Sequence, residues 1–456
     1  MKQIADVVIC GAGIAGISSA YHLAIHHGVK RIILVDERSP LSLTSDKSTE
    51  CYRNWWPGPG NAMVALMNRS IDLLEGLADK SGNIFHLNRR GYLYLTADPD
   101  HVPTFAQDAS IPPELGAGPL RIHTGDIDDP EYVPVSHEGY VNQPTGADLF
   151  LNPDLIRQHF PYLSPNVLAA LHVRRAGWFS AQQLGSYLLE QSRLQVVKTI
   201  SGKVSNIRLN NGKVDKIILA DGSTIATKSF VNAAGPFVDQ VTKLLGVNLP
   251  VYSELHMKAA IRDNLRILPR NTPLLIWSDP QLLSWSADER KILSGEREYT
   301  WLLEEMPAGV HTRPEGGLDS DIILMLWEYH TNVMEPIIPP PVDNQYPEIT
   351  LRGLATMIPG LAVYLNKIPR PILDGGYYTR TRENRPLISP LPVDGAFVIG
   401  ALSGFGLMAA CAAGELLAAH LTQSPLPDYA PAFSLDRYND PEYLKSIANG
   451  GYSGQL

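Results

Sequence analysis

Residues 6–23 read DVVICGAGIAGISSAYHL. The apolar run Val7–Cys10 meets Gly11, Gly13 and Gly16, and an apolar-periodic segment follows at once. That order predicts strand, tight turn, helix, and the G-x-G-x-x-G spacing is a dinucleotide-binding fingerprint. Gly11 would make the turn, Gly13 would let a pyrophosphate approach the backbone, and Gly16 would let helix pack on strand. Ile14 and Ala15 open the helix, whose free N–H groups and positive dipole end suit phosphate. A second apolar run, Ile32–Val35, ends at Asp36-Glu37, with Asp36 roughly twenty residues past Gly16. An acid there binds ribose hydroxyls and repels a 2′-phosphate, which disfavours NADP although Arg38 is adjacent. The motif alone leaves NAD, FAD and a ligand-free turn open.

The middle of the chain narrows this choice. "VSNIRL", Asn211-Gly212, "VDKIIL", Asp221-Gly222 and "TIATKSF" read as a β-meander, since Asn-Gly and Asp-Gly between apolar alternations mark hairpins. The meander returns to a buried strand, Ser229–Asn232, which ends in Ala233-Ala234-Gly235-Pro236 ahead of a helix over 237–245. A strand–helix–strand continuation would have suited an NAD dehydrogenase; a meander returning to A-A-G suits the FAD version of the fold. Near the C-terminus "GAFVIG" reads as a strand, and "ALSGFGLMAACAAGELLAAHL" as a glycine turn opening a second long helix. Its positive end would favour an anionic reduced flavin. Residues 396–413 carry no charge, but their glycines and Glu415 favour a buried strand–turn–helix over a membrane span.

The remaining composition bounds the class. A chain of 456 residues exceeds one compact core. A net charge of −9 with no Lys/Arg block argues against a nucleic-acid surface. Cys10, Cys51 and Cys411 are odd in number and widely spaced, so neither a disulfide framework nor a metal site is expected. A cytoplasmic setting is the expectation, with no signal segment expected at the N-terminus. "PIIPPPVDNQYP" (336–347) reads as a surface connection, and the residues from about Asp436 as an extended tail.

Taken in order, "VVICGAGIAGISSAYHLA", "IILVDER", "RRGYLYLTAD", "GWFSAQQLGSYLLEQ", "FVNAAGPFVDQV", "YYTRTRENRPLISPL" and "GAFVIGALSGFGLMAACAAGELLAAHL" resemble the D-amino-acid oxidase superfamily of FAD-dependent amine oxidoreductases. The nearest members are sarcosine oxidase, glycine oxidase and dimethylglycine dehydrogenase. The resemblance implies an α/β fold: a Rossmann-like FAD domain of glutathione-reductase type from residues 1–84, 169–248 and 370–432. A mainly antiparallel β-sheet substrate domain would be inserted, from 85–168 and 249–369, with 433–456 as a tail. It also implies FAD contacts from Ser45, Lys47, Ser48 and Thr49 in the loop after the second strand, and from Val204, Ala234, Gly235, Arg380 and Gly400. Ser403, Gly404, Phe405, Gly406, Leu407 and Met408 complete the set. The family pattern at 403–408 is usually S-G-H-G-x-K, so its His and Lys are absent here. The family's covalent attachment points, a Cys before the "YT" segment or a His after the second strand, are also missing; Cys51 is the one nucleophile nearby. Non-covalent FAD is expected.

The family's reaction takes a hydride from a carbon next to nitrogen and leaves an imine. A substrate carboxylate would need a fixed cation, for which Arg53 and Arg380 lead and Arg382 and Arg385 follow. On "VYSELHMKAAI", Glu254, His256 and Lys258 share one strand face. Lys258 resembles the lysine with which oxidases activate oxygen near the flavin, and Tyr378 is the aromatic expected in the substrate wall. Trp55 and Trp56 are candidates to close the pocket. Partners are then a small amine or amino acid and oxygen or an electron carrier, with a homo- or hetero-oligomer left open. Two further readings share the fold: a flavin dehydrogenase of a 2-hydroxy acid or polyol phosphate, and a flavoprotein subunit of an electron-transfer complex. Flavin hydroxylases usually carry a G-D pair where this chain has "VIGALSG".

Overall fold

The computed structural model describes residues 2–136, 139–329 and 331–448. The apolar runs assemble into a six-stranded sheet in the order Lys198–Ser201, Ile32–Asp36, Val7–Cys10, Phe230–Asn232, Ala396–Gly400, Leu387–Pro390. The first five strands are parallel and the last is an antiparallel edge. Both faces are covered, which is why these strands read as unbroken apolar runs. Val7 and Ile9 face a core shared with the helices Ile14–Tyr21, Ala62–Ser81, Ala181–Leu194 and Gly406–Thr422. Val8 and Cys10 face the other way, onto a core shared with the meander.

The meander is a four-stranded sheet in the order Lys2–Ile4, Thr224–Ala226, Lys213–Leu219, Val204–Asn210. Asn211 and Gly212 both take positive φ, 51° and 79°, the combination a tight two-residue hairpin requires. The apolar helical stretch Ser403–Thr422 meets the length and hydropathy of a membrane span, but 72% of its most apolar window is buried inside this fold.

A nine-stranded sheet forms the second layer system, in the order Ile372–Arg380, Tyr252–Arg262, Ile322–Leu326, His311–Glu315, Leu274–Trp277, Tyr92–Thr96, Ala169–Val173, Ala147–Phe150, Leu120–His123. Most pairs are antiparallel; Leu274–Trp277 with Tyr92–Thr96 and Leu120–His123 with Ala147–Phe150 are parallel. Ala169–Val173 and Ile372–Arg380 belong to this sheet, so the passage to the six-stranded sheet lies beyond residues 169 and 370, where the sequence reading divided the chain. The reason is edge pairing: Ile372–Arg380 hydrogen-bonds along nearly the whole of Tyr252–Arg262.

The C-terminal segment also departs from expectation. Instead of an extended tail, residues 435–448 form a short 3₁₀ turn, Leu435–Asn439, and a helix, Pro441–Ala448; residues 449–456 lie outside the described residues. The cause is a buried charge. Glu383 accepts from Arg437 Nε and Nη2 at 3.0 and 2.7 Å and from the Tyr438 and Tyr443 hydroxyls at 2.7 and 3.0 Å. Burial opposes its ionisation, but Arg437 and the hydroxyl of Tyr438 outweigh it and hold the carboxyl below the ordinary range. A depressed folded-state pKa means the contribution is full above the unfolded value of about 4.3 and is lost as pH falls through the folded value. Arg437→Met should destabilise the protein by about 3–5 kcal/mol in urea titrations at pH 7, because it strands a buried carboxylate. The difference between parent and variant should shrink on acidification.

Candidate active site

Three distant segments meet at the carboxyl ends of the parallel strands. Gly11 takes φ +112°, and a Cβ there would lie 2.2 Å from the Ala233 carbonyl oxygen; a Cβ on Gly16 would lie 2.0 Å from the Gly11 carbonyl oxygen. The Ala12 N–H donates to Asp36 Oδ2 at 2.7 Å, which fixes the acid beside the turn. From this corner a groove of ≈480 Å³ runs past Asp36, Glu37, Arg38, Val204, Ala234 and Gly235. It continues into a narrower ≈100 Å³ stretch bordered by Ile14, Ala15, Ser48, Gly400, Ser403, Gly404, Gly406 and Leu407. Gly13, Ser45, Thr44 and Gly235 border both parts.

This cradle fits an extended dinucleotide. The backbone of Gly13 is bare, with only Ser45 Oγ within reach of an added Cβ, at 3.3 Å. The Ile14 N–H donates to that same Oγ at 3.0 Å. Two helices point their N-termini at the groove, Ile14–Tyr21 and Gly406–Thr422, and neither has a side-chain cap from its own N-cap residue. Gly16, Lys47, Thr49, Phe405, Met408 and Arg380, expected among the cofactor contacts, do not border it. Gly16 is spent on the close helix–strand approach. Phe405 packs edge-on against Trp56, and the Met408 carbonyl accepts from Ser70 Oγ at 2.5 Å. Thr44, absent from the sequence reading, borders the groove and donates to the Tyr377 carbonyl at 3.1 Å.

The loop over the groove is held from behind by cations of the nine-stranded sheet. Lys258 Nζ donates to the Ser48 carbonyl at 3.0 Å. Arg313, wholly buried, donates from Nε and Nη2 to the Thr49 carbonyl at 3.0 and 2.7 Å. Lys47 sits between Asp46 and Asp374 at 2.7 and 3.0 Å. Burial, the largest influence, lowers the Lys258 pKa despite Asp374 and Glu50 nearby. Lys258 therefore braces the loop and borders neither the groove nor the cavity described next. Cys51 donates to the same Thr49 carbonyl at 3.2 Å, and burial pushes its thiol up to about 11, leaving it protonated and unreactive.

A cavity of ≈730 Å³ lies beyond the groove, bordered by Arg53, Trp55, Tyr94, Phe105, Trp277, Glu328 and Arg380, among others. The strand Ile372–Arg380 joins the two spaces: Tyr377–Thr379 border the groove, Arg380 the cavity. Arg53 donates from Nε to the Trp55 carbonyl at 3.1 Å, its guanidinium 4.5 Å from the Trp56 ring centre. Trp56 is core, while Trp55 reaches the cavity. Arg380 Nη1 lies 3.2 Å from Glu254 Oε2. His256 stacks on Tyr378 with ring centres 3.8 Å apart, and lies 3.4 Å from Glu254 Oε2 through Nε2 and 3.1 Å from Glu328 Oε1 through Nδ1. Burial opposes a charge on His256, yet the two carboxylates outweigh it and raise its pKa. Of the other two arginines, Arg385 is structural and donates to the Gly58 carbonyl at 3.0 Å, whereas Arg382 also borders the cavity and donates to the Ala448 carbonyl at 3.4 Å. Ile447 of the C-terminal helix borders the cavity too.

The family model for FAD dependent oxidoreductases (DAO) matches residues 6–420, and the chain belongs to that family. Human mitochondrial dimethylglycine dehydrogenase is 24% identical over 278 residues, 60% of this chain. The matched stretch is only 28% of that relative's length. Among solved structures, L-proline dehydrogenase from P. horikoshii superposes with a TM-score of 0.73 at 18% identity, covering 96% of this chain and 99% of that one. Glycine oxidase from Geobacillus kaustophilus gives 0.71 at 16% identity, covering 95% and 98%. These likenesses carry the fold: an FAD-binding α/β unit with a mainly antiparallel second sheet.

Gly13 separates ligand binding from folding, because its φ is ordinary and its Cβ position opens on the groove. Gly13→Val should abolish FAD binding, read as lost visible absorbance, while far-UV circular dichroism and urea unfolding show a folded chain. Full flavin occupancy in the variant would place the cofactor elsewhere.

Proposed function

We propose that this chain uses non-covalent FAD to oxidise a C–N bond in a secondary amine or amino acid, giving an imine that hydrolyses. The observation that carries this reading is the ≈730 Å³ cavity next to the groove, with Arg53 and Arg380 on its wall among Trp55, Tyr94, Phe105 and Trp277. A pocket of apolar walls with a few convergent charges binds and orients a small organic ion. Its volume suits a substrate larger than glycine.

Bound in the groove, FAD supplies the redox chemistry by accepting a hydride. The residues of the chain do the rest. Arg380 and Arg53 hold a carboxylate and fix the carbon that is to be oxidised. Tyr378, which borders the groove, is backed by the stacked ring of His256. The aromatic walls exclude water, which strengthens every charge contact inside. Oxygen or an electron carrier then takes the electrons. The same substrate-class expectation is supported by the names of the structural neighbours, which include proline, glycine and iminodiacetate enzymes.

Anaerobic mixing with N-methyl amino acids, cyclic imino acids, D-amino acids and 2-hydroxy acids tests the reading: amines should bleach the flavin and 2-hydroxy acids should not. Bleaching by hydroxy acids alone would overturn it. Cys10, the thiol that borders the groove, is buried and pushed up to about 12, and Cys51 is likewise buried, so acid or heat should release all the FAD; flavin that stays with the denatured chain on a gel would contradict non-covalent binding. Arg380→Met should raise KM for carboxylate substrates about tenfold or more, with a smaller effect on kcat.

A further inference from the structure

Among the described residues, three carboxylates border the large cavity: Asp108, Glu383 and Glu328. Asp108 is exposed on the surface. Glu383 is wholly buried, and one of its oxygens already receives Arg437, Tyr438 and Tyr443. Glu328 differs from both. It follows the strand Ile322–Leu326 and keeps 29% of its side chain open. It also borders a second space of ≈270 Å³ lined by Trp327, Tyr329 and Tyr346; of the described residues, Glu328 alone borders both spaces. Its contact with His256 Nδ1 at 3.1 Å uses Oε1, and a carboxylate has room for several more donors.

We propose that Glu328 binds the ammonium group of the substrate and so makes the site select amines over hydroxy acids. This deepens the proposed function and rests on it. The arrangement is a three-point charge frame: Arg53 and Arg380 for the carboxylate, Glu328 for the nitrogen, with His256 as a positioning residue whose Nδ1 lies 3.1 Å from Glu328 Oε1. The groups facing Glu328 are His256 on one neighbouring strand, Arg380 with Glu254 behind it, His311, and the hydroxyl-bearing rings of Tyr346 and Tyr378. Burial alone would keep Glu328 protonated, but His256, Arg380 and His311 outweigh it and hold its carboxyl below the ordinary range. It is therefore an anion at neutral pH. An alcohol in place of the ammonium would offer that anion only an uncharged donor, a weaker partner than a charge-assisted one, so the site favours the amine.

The test uses the FAD-loaded protein and two non-oxidisable probes that differ only in the amino group, 2-aminoisobutyrate and isobutyrate. Both carry the carboxylate, and only the first carries the ammonium. Binding is read by calorimetry and by perturbation of the flavin absorbance. The parent should bind 2-aminoisobutyrate at least about tenfold more tightly than isobutyrate, and Glu328→Gln should weaken the amino compound about tenfold to a hundredfold. Isobutyrate should stay within about threefold, and Glu328→Asp should restore part of the preference. Equal binding of the two probes by the parent overturns the proposal whether or not the variants fold. Equal weakening of both probes in Glu328→Gln overturns it as well, since that marks a structural effect. A parent that discriminates between the probes but is bleached by no amine retires the proposed reaction and leaves the charge assignment standing.

Discussion

The close approach of Gly11 to Ala233 governs the rest of the structure. There is no room for a side chain between these backbones, and the contact brings a strand from the start of the chain against one from its middle. Hydrogen bonds finish the corner: Gly11 N–H donates to the Val35 carbonyl and Ala233 N–H to the Cys10 carbonyl, both at 2.8 Å. Asp36, Ala234 and the start of the Ile14–Tyr21 helix are delivered to one edge as a consequence. Ligands of open parallel sheets bind at this edge, outside the carboxyl ends of the strands.

A second constraint ties this edge to the nine-stranded sheet. The loop over the groove offers two successive carbonyls, Ser48 and Thr49, and two cations from the other sheet, Lys258 and Arg313, take one each. The groove wall is therefore tied to the nine-stranded sheet. Glu50 and Glu315, beside Arg313 at 3.6 and 2.5 Å, keep that buried guanidinium compensated. The loop over the groove is thus set by two residues that do not border it.

The parts of this architecture that depend on local pattern were readable in the sequence. Glycine spacing, an acid at the end of a strand, Asn-Gly between apolar alternations and a second glycine-led helix each report on a few neighbouring residues, and each fell where expected. Residues whose meaning depends on a distant partner were not readable. Arg313 sits in "HTRPE", which looks like a solvated edge until its partner loop, more than two hundred and fifty residues earlier, is in place. Glu328 sits in "LMLWEYH", where a lone acid after apolar residues reads as the end of a core strand. Lys258 was placed on the correct strand face, but its reach to Ser48 shows only in three dimensions. For the C-terminal helix a local signal was present: Asp440-Pro441-Glu442 is a helix start, and the Asp440 side chain accepts from the Glu442 N–H at 2.9 Å. Polarity masked it, since Arg437 counts as buried only once Glu383 is known.

The proposed chemistry requires that the groove hold FAD and that Arg380 and Glu328 grip one ligand in the adjoining cavity. A crystal structure of the FAD-loaded protein with 2-aminoisobutyrate measures it directly. The account predicts the pyrophosphate at Gly13 and Ser45, the flavin ring beside Tyr378 and Gly404, and the amino acid with its carboxylate toward Arg380 and its nitrogen within hydrogen-bond distance of Glu328. FAD outside the groove, or the amino acid bound away from both Arg380 and Glu328, would contradict it.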